Sequence, residues 1–470
     1  MKTKIDEDLS IKNSKQRIMG SAENALILTS QQHHGYMKVG IVMHLQGPYI
    51  ALEALITAVN RLQRRHPFLR SRLQVNPEKP GTYLMEEDDT LELKIIEIPR
   101  EQDDHFDFWR EEWRMREKDP AVVGQGLVQF WLLQDPNDDD DDDSPREIVI
   151  VCEHGICDGM SISTVAHELL ISLSDNDTNM FDGSLNWPII METAVRKSVS
   201  AYGRVIKFAK FLLRVLYWRA TSSRRTTRMP LIAKDFPLEE MATYCHTEAF
   251  YGRLNKEDTQ QLLKKCRQEG VTLTSAVSSA ILCSTSASLE TRKDQSTQVV
   301  MAITADTRQR CVPPVPNHDL SYQASGIMAF TVLNKEIPVT SYGMWQLAKT
   351  FGNHVKKSIK AGQSLALAMV MGEYFQRNLG APNMTEHPTC GISNWGRLPF
   401  QEKYGNWELL EVTPILNLVR TVMPIVFVQT VNGVLTIACL GSVPIMSSRI
   451  LERLCNGAMC KLHEMIEDIF

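Results

Sequence analysis

The sequence predicts a mixed α/β protein built as two domains. The chain has 470 residues, more than one hydrophobic core ordinarily serves. In both halves, apolar or β-branched runs of strand length alternate with stretches whose apolar residues recur at helical spacing. Apolar residues make up 43% of the chain, enough to line cores of that kind.

The remaining composition narrows the function. A net charge of −5 does not describe a nucleic-acid binder. Ten cysteines are scattered, with no C-x-x-C pair and no zinc spacing. That favours free thiols in a reducing compartment and predicts no metal site. The opening residues, Met1 to Asp8, lack the apolar core of a secretory signal. No apolar run is long enough to span a bilayer. We therefore expect a cytosolic protein.

Taken in order, residues 1–20 are polar and read as loose chain. Residues 36–45 read as a strand stopped by Gly47-Pro48. Residues 49–65 read as a helix, with Leu52, Leu55, Ile56, Val59 and Leu62 in one stripe. Its last turn carries Arg61, Arg64 and Arg65, which suit the negative end of a helix dipole. Strands follow at 82–85 and 91–98, a helix at 106–118, and strands at 126–133 and 147–153. Between the last two strands stand six aspartates, Asp138 to Asp143. Like charges in a row repel and stay solvated, so they read as an elongated hairpin loop. Calcium binding is the alternative, but the run lacks the glycine turn of a calcium loop.

The 147–153 strand runs into the richest stretch of the chain, Cys152-Glu153-His154-Gly155-Ile156-Cys157-Asp158-Gly159. A β-branched run stops at a histidine, two glycines bracket a tight turn, and an aspartate follows the histidine by four residues. An amphipathic helix comes next, with Ile162, Val165, Ala166, Leu169, Leu170 and Leu173 at helical spacing. A strand that ends on histidine and turns at once holds an imidazole at the edge of a sheet. Histidine is the side chain best suited to accept a proton near neutral pH. Asp158 stands just before the helix, where an N-cap belongs. Gly155 and Gly159 permit a crowded turn. Strand alternation points Glu153 away from its neighbour His154, so Glu153 is not assigned as a second base.

Residues 193–234 hold eleven Lys or Arg and no acid. Within them, 205–218 is apolar except for Lys207, Lys210 and Arg214 on one face, a basic amphipathic helix. Such a helix suits a core-covering element with a solvated basic edge. The alternatives are docking at an anionic membrane surface, or attraction of ligand phosphates or an acidic protein. Residues 221–228 read as a flexible linker. The domains are thus 1–190, carrying the histidine motif; 191–240, the basic helix and linker; and 241–470.

In the second half, helices are predicted at 259–270, with Gly270 as the stop, at 272–286 and at 344–359. Strands are predicted at 298–303 and 391–393. A hairpin is predicted from 425–430 and 433–440 across Val431-Asn432, before a closing helix at 447–469.

His154-Gly155-Ile156-Cys157-Asp158-Gly159 meets the H-x-x-x-D-G signature of the CoA-dependent acyltransferase superfamily. Three further passages are similar to that superfamily: Arg65-His66-Pro67-Phe68-Leu69-Arg70; Ala305-Asp306-Thr307-Arg308-Gln309-Arg310; and Ser393-Asn394-Trp395-Gly396-Arg397. They stand in the same order and span most of the chain. Two departures bear on the branch. Glu153 replaces a second histidine common in condensation and chloramphenicol enzymes, and the D-F-G-W-G segment of plant-type enzymes is missing. The chain therefore most resembles the alcohol acetyltransferase and polyketide-associated branch.

The resemblance implies two chloramphenicol-acetyltransferase-like halves with a tunnel between them, and a monomer. It implies acyl-CoA, with acetyl-CoA favoured, as co-substrate and a small, apolar natural-product or lipid-like alcohol as acceptor. His154 would be the general base. Asp158 would be structural and pair with an arginine, for which Arg308 is the matching candidate. Arg310 could reach a CoA phosphate. Ser393, Asn394, Trp395 and Gly396 would line the region of the reaction centre, with Ser393 or Asn394 as oxyanion donors. Acyl transfer from a thioester to an alcohol needs a base, oxyanion donors and alignment, but no bound cofactor or metal. Transfer from a carrier-protein thioester, transfer to an amine, and a non-catalytic binding protein on the same fold remain the alternatives.

Overall fold

The computed structural model describes residues 15–100, 108–135, 144–174, 183–222, 226–231, 236–237, 239–289, 297–379 and 387–467. The aspartates 138–143 lie outside the described residues. The chain forms two compact units that are not consecutive lengths of sequence. The first comprises Met1–Ala194, Pro314–Gln323 and Pro399–Asn417; the second comprises Val195–Pro313, Ala324–Leu398 and Leu418–Phe470.

The first unit holds a six-stranded mixed sheet. In order across it lie Lys403–Tyr404, Trp407–Leu416, Val39–Gln46, Pro145–Cys152, Val128–Gln134 and Lys94–Pro99. All neighbours are antiparallel except the last pair. The motif strand, β1 (Pro145–Cys152), is central, and Ile150 pairs with Ile41 on one side and Phe130 on the other. Every residue from Arg146 to Cys152 is buried, as a strand covered on both faces requires. The helix after the motif, α1 (Gly159–Ser174), buries the stripe from Ile162 to Leu173. Each such aliphatic side chain contributes about 1.5–3 kcal/mol through burial. Helix Leu52–Arg65 packs on α1. The contact ends in charge: Arg65 Nε donates to Glu168 Oε2 at 3.0 Å, and His66 Nε2 lies 2.8 Å from the same oxygen. The Arg65–Arg70 passage therefore ties one helix to the helix that follows the motif.

The second unit holds another six-stranded mixed sheet: Ala324–Leu333, Gln298–Asp306, β2 (Cys390–Arg397), Ile425–Val431, Val434–Val443 and His246–Leu254. β2 is parallel to both neighbours and the other pairs are antiparallel. Helices Leu273–Ser288, Ser341–Lys360 and Ser448–Glu467 pack with it around a core that includes Ile281, Met301, Ile437 and Leu454. Local signals place several boundaries. Asn255 caps helix Lys256–Glu269 by accepting from Asp258 N–H, and Gly270 ends it at φ +68°. Thr272 caps the next helix by accepting from Ser275 N–H. The predicted hairpin is present, but its turn is Asn432-Gly433, both at positive φ, with Val431 paired to Val434. That is the Asn-Gly signature of a tight hairpin turn. Residues 391–393 are not a short strand ending at Ser393: β2 runs on to Arg397.

Candidate active site

His154 follows the last residues of β1, in a turn pinned at both ends. Glu153 N–H donates to Leu127 O at 3.0 Å, and Ile156 N–H donates to Glu153 O at 3.1 Å. Gly155 backs the turn onto helix Ser21–Gln32. A Cβ there would sit 2.8 Å from Glu23 O and 2.9 Å from Ile27 Cγ1, so only glycine fits without a shift.

The imidazole is fixed by its own turn. His154 Nδ1 lies 2.7 Å from the Cys157 carbonyl oxygen. A carbonyl only accepts, so Nδ1 must carry the proton and donate. In the neutral ring, Nε2 then holds the free lone pair. Burial pushes the imidazole below its ordinary value, against the opposing pulls of the Cys157 carbonyl and the Asp158 carboxylate. The ring is therefore neutral at neutral pH, with Nε2 ready to accept a proton. The Tyr322 ring meets it edge-on, with centroids 5.3 Å apart. Burial raises the Tyr322 phenol well above its ordinary value, so it stays protonated.

The Asp158 carboxylate clamps backbone. Oδ1 accepts from Ser161 N–H at 3.0 Å, and Ser161 Oγ accepts from Asp158 N–H at 2.9 Å. This is a reciprocal N-cap on α1, whose first residue is the buried Gly159. Oδ2 accepts from Gln323 N–H at 2.8 Å, and Ser161 Oγ also reaches Ser321 O at 3.1 Å. One aspartate thus fixes the helix start and the segment carrying Tyr322. Tyr322 and Gln323 escaped sequence reasoning, because nothing local links residue 158 to residue 323.

Glu153 turns elsewhere. Its Oε1 lies 3.8 Å from Lys38 Nζ, with both side chains buried. Burial raises its carboxyl, opposed chiefly by the Lys38 ammonium.

The remaining predicted site residues lie in the second unit. Arg308 is buried in a single helical turn, Arg308–Arg310, after strand Gln298–Asp306, and its Nη1 donates to Asp306 Oδ1 at 2.9 Å. Arg310 Nη1 donates to the Asp306 carbonyl oxygen. β2 runs beside that strand, with Ile392 opposite Ile303. Ser393 is half-buried. Asn394 Nδ2 donates to Thr274 Oγ1 at 2.6 Å, and its Oδ1 accepts from Gly396 N–H at 2.7 Å. The side chain of Asn394 thus spans an irregularity in the ladder between Asn394 and Gly396. Gly396 takes φ +77°, which suits glycine, and Trp395 packs against Phe427 with centroids 5.4 Å apart. The structure thus gathers His154, Asp158 and Gly159 in one unit, and Arg308, Arg310 and the Ser393–Gly396 passage in the other. Among the described residues no cluster of His, Cys, Asp or Glu is placed to hold a metal ion.

The comparisons with known proteins fit these features. The fold is like that of solved acetyltransferase and condensation-domain structures. It is similar to trichothecene 15-O-acetyltransferase from Fusarium sporotrichioides, with a TM-score of 0.74 and 10% identity over 96% of this chain and 95% of that one. Polyketide synthase associated protein 5 from Mycobacterium tuberculosis superimposes with a TM-score of 0.67 and 15% identity over 95% and 98% of the two chains. The first condensation domain of the calcium-dependent antibiotic synthetase gives 0.67 and 14% over 97% and 100%. More particularly, residues 248–440 match the family model described as the C-terminus of phthiocerol/phthiodiolone dimycocerosyl transferase, an acyltransferase family. No curated protein matches the sequence.

Proposed function

We propose that the chain is an O-acyltransferase that moves an acyl group, acetyl in the first instance, from acyl-CoA to the hydroxyl of a small apolar alcohol. The observation that carries the reading is the tautomer of His154. Its Nδ1 is committed to the Cys157 carbonyl, which leaves Nε2 as a base in a ring kept neutral by burial. Nε2 takes the hydroxyl proton as the alcohol oxygen attacks the thioester carbonyl. The tetrahedral intermediate then collapses, the carbon–sulfur bond breaks, and the leaving thiolate takes the proton back from Nε2. Ester and free CoA result, and no covalent enzyme intermediate is needed.

Asp158 acts in this reading by holding the turn and the Tyr322 segment. Ser393 is the better-suited oxyanion donor of its passage, because both ends of the Asn394 amide are already engaged. Arg310 is assigned to CoA phosphate. Similarity to an acetyltransferase and to a polyketide-associated protein supports a natural-product setting, and we place the enzyme in the cytoplasm.

The test is thiol release from acetyl-CoA and longer acyl-CoAs with a panel of alcohols and amines, wild type beside His154→Ala. Release that needs an acceptor, and that falls about 10²–10⁴-fold in His154→Ala, is the expected result. Near-normal release from His154→Ala would remove the base assignment. Activity only with a thioester on a carrier protein would overturn the CoA donor.

A further inference from the structure

A second feature of the molecule stands apart from the acyl-transfer reading. In the second unit lies α2 (Ala201–Ser222), the longest helix among the described residues. A helix on a protein surface ordinarily turns its apolar stripe inward and its charges outward. α2 also turns an apolar stripe outward. Tyr202, Val205, Leu212, Leu213, Leu216 and Tyr217 are 45–77% exposed. At 100° per residue, Val205, Ala209, Leu212, Leu213 and Leu216 fall on one face, and Ala209 is exposed with them. From Val205 to Leu216 that stripe is about 17 Å long.

The other side of α2 is what docks on the protein. The helix packs against Gln363–Ala368, and the Lys207 side chain lies against Gly362. Arg204 turns back to its own chain, donating to Arg196 O and Val199 O. Lys210 and Arg214 are exposed along one edge of the apolar face. An outward apolar face of this size marks a binding surface.

We propose that α2 is a membrane-docking helix that lies in the interface of an anionic lipid surface. Leu212, Leu213 and Leu216 would enter the acyl boundary, while Lys210 and Arg214 meet lipid phosphates. Charge selects this occupant. Residues 193–234 hold eleven Lys or Arg and no acid, so a second copy of the chain would bring like charges together, whereas an anionic surface is complementary. Tyr202 and Tyr217, near the two ends of the exposed face, have the amphipathic rings that favour the headgroup level. No single helix among the described residues is long and apolar enough to cross a membrane. The contact is therefore peripheral.

The experiment is co-sedimentation of the full chain with phosphatidylcholine vesicles, with and without phosphatidylserine. Wild type is expected to bind the phosphatidylserine vesicles and to lose binding as salt rises. Leu213→Glu/Leu216→Glu should bind at least tenfold more weakly. Lys210→Gln/Arg214→Gln should lose about fivefold for each charge removed. Both variants should keep the wild-type melting temperature, because these side chains are exposed. Leu213→Ser/Leu216→Ser repeats the apolar test without added charge. Equal binding to both vesicle types, or wild-type binding by the leucine variants, would overturn the proposal. So would a dimer, seen by light scattering, that the leucine variants dissociate.

Discussion

Replacing Asp158 separates a structural role from a chemical one. Its carboxylate accepts two backbone N–H groups, from Ser161 at 3.0 Å and from Gln323 at 2.8 Å, and all three residues are buried. Asp158→Ala removes both acceptors. Loss of the cap costs about 1 kcal/mol. Orphaning the buried Gln323 N–H costs about 1–3 kcal/mol more. The total of about 2–4 kcal/mol corresponds to a fall in melting temperature of about 4–16 °C for a unit of this size. Asp158→Asn keeps one carbonyl oxygen, and asparagine is a good N-cap. Its amide nitrogen cannot accept, so the Gln323 side is lost alone. Asn should therefore melt between wild type and Ala, by about 1–3 kcal/mol below wild type. Turnover should fall in both, because Tyr322 is released from its place against His154. The assay is differential scanning calorimetry beside thiol release. Slowed chemistry at an unchanged melting temperature in Asp158→Asn would refute the clamp and put this carboxylate in the reaction itself.

Other consequences are equally measurable. Burial lowers the His154 pKa, so kcat/KM should stay flat through neutral pH and fall only below the ordinary histidine value of about 6.5; a fall centred above 6.5 would contradict the geometry. The same group gives a stability term of matching sign. Between the lowered folded value and the unfolded value near 6.5, the unfolded chain binds more protons, so His154 makes the protein less stable as pH falls through that window. Denaturant midpoints of wild type and His154→Gln across pH 5–7 check it, the variant losing less on acidification. Gly155→Ala should cost about 1–3 kcal/mol, because its Cβ would meet Glu23 O and Ile27 Cγ1, and a wild-type melting temperature would show the turn to be loose. Tyr322→Ala should lower turnover and move the lower limb of the pH profile up toward 6.5, since it opens the wall beside His154 to water; an unmoved limb would remove Tyr322 from the site.

Sequence order governed what could be read. Elements with strong local signals emerged nearly as drawn: helix Leu52–Arg65 by its stripe, helix Lys256–Glu269 by its Gly270 stop, the 425–443 hairpin by its two apolar runs. Strand Trp407–Leu416 went unread. It completes the first unit's sheet against Val39–Gln46, more than 350 residues earlier, and its partner is what makes it a strand. Strands His246–Leu254 and Ala324–Leu333 share that dependence on distant pairing. Helix Ser21–Gln32 was missed because it is buried nearly all round and so shows little apolar periodicity. The outward apolar face of α2 was hidden for a different reason: the pattern gives the two faces of a helix but not which one meets the protein.

The spacing of the histidine motif follows from the geometry of one turn. The imidazole is held by the carbonyl three residues on, at Cys157, so the chain must fold back within that distance. The next residue is then the first position from which a side chain can cap the helix that leaves the turn, and an acidic cap there also reaches the Gln323 backbone. A residue inserted between His154 and Asp158 would break one of these bonds to keep the other. Hydrogen-bond closure at the third residue and capping at the fourth thus set the interval, and Gly155 relieves the crowding it creates. The same interval gives the aspartate a role in the proposed reaction that needs no contact with substrate. In the proposed reaction it positions His154 by fixing both the start of α1 and the backbone that carries Tyr322, and a carboxylate is the only common side chain that presents two unprotonated acceptors to two separate N–H groups.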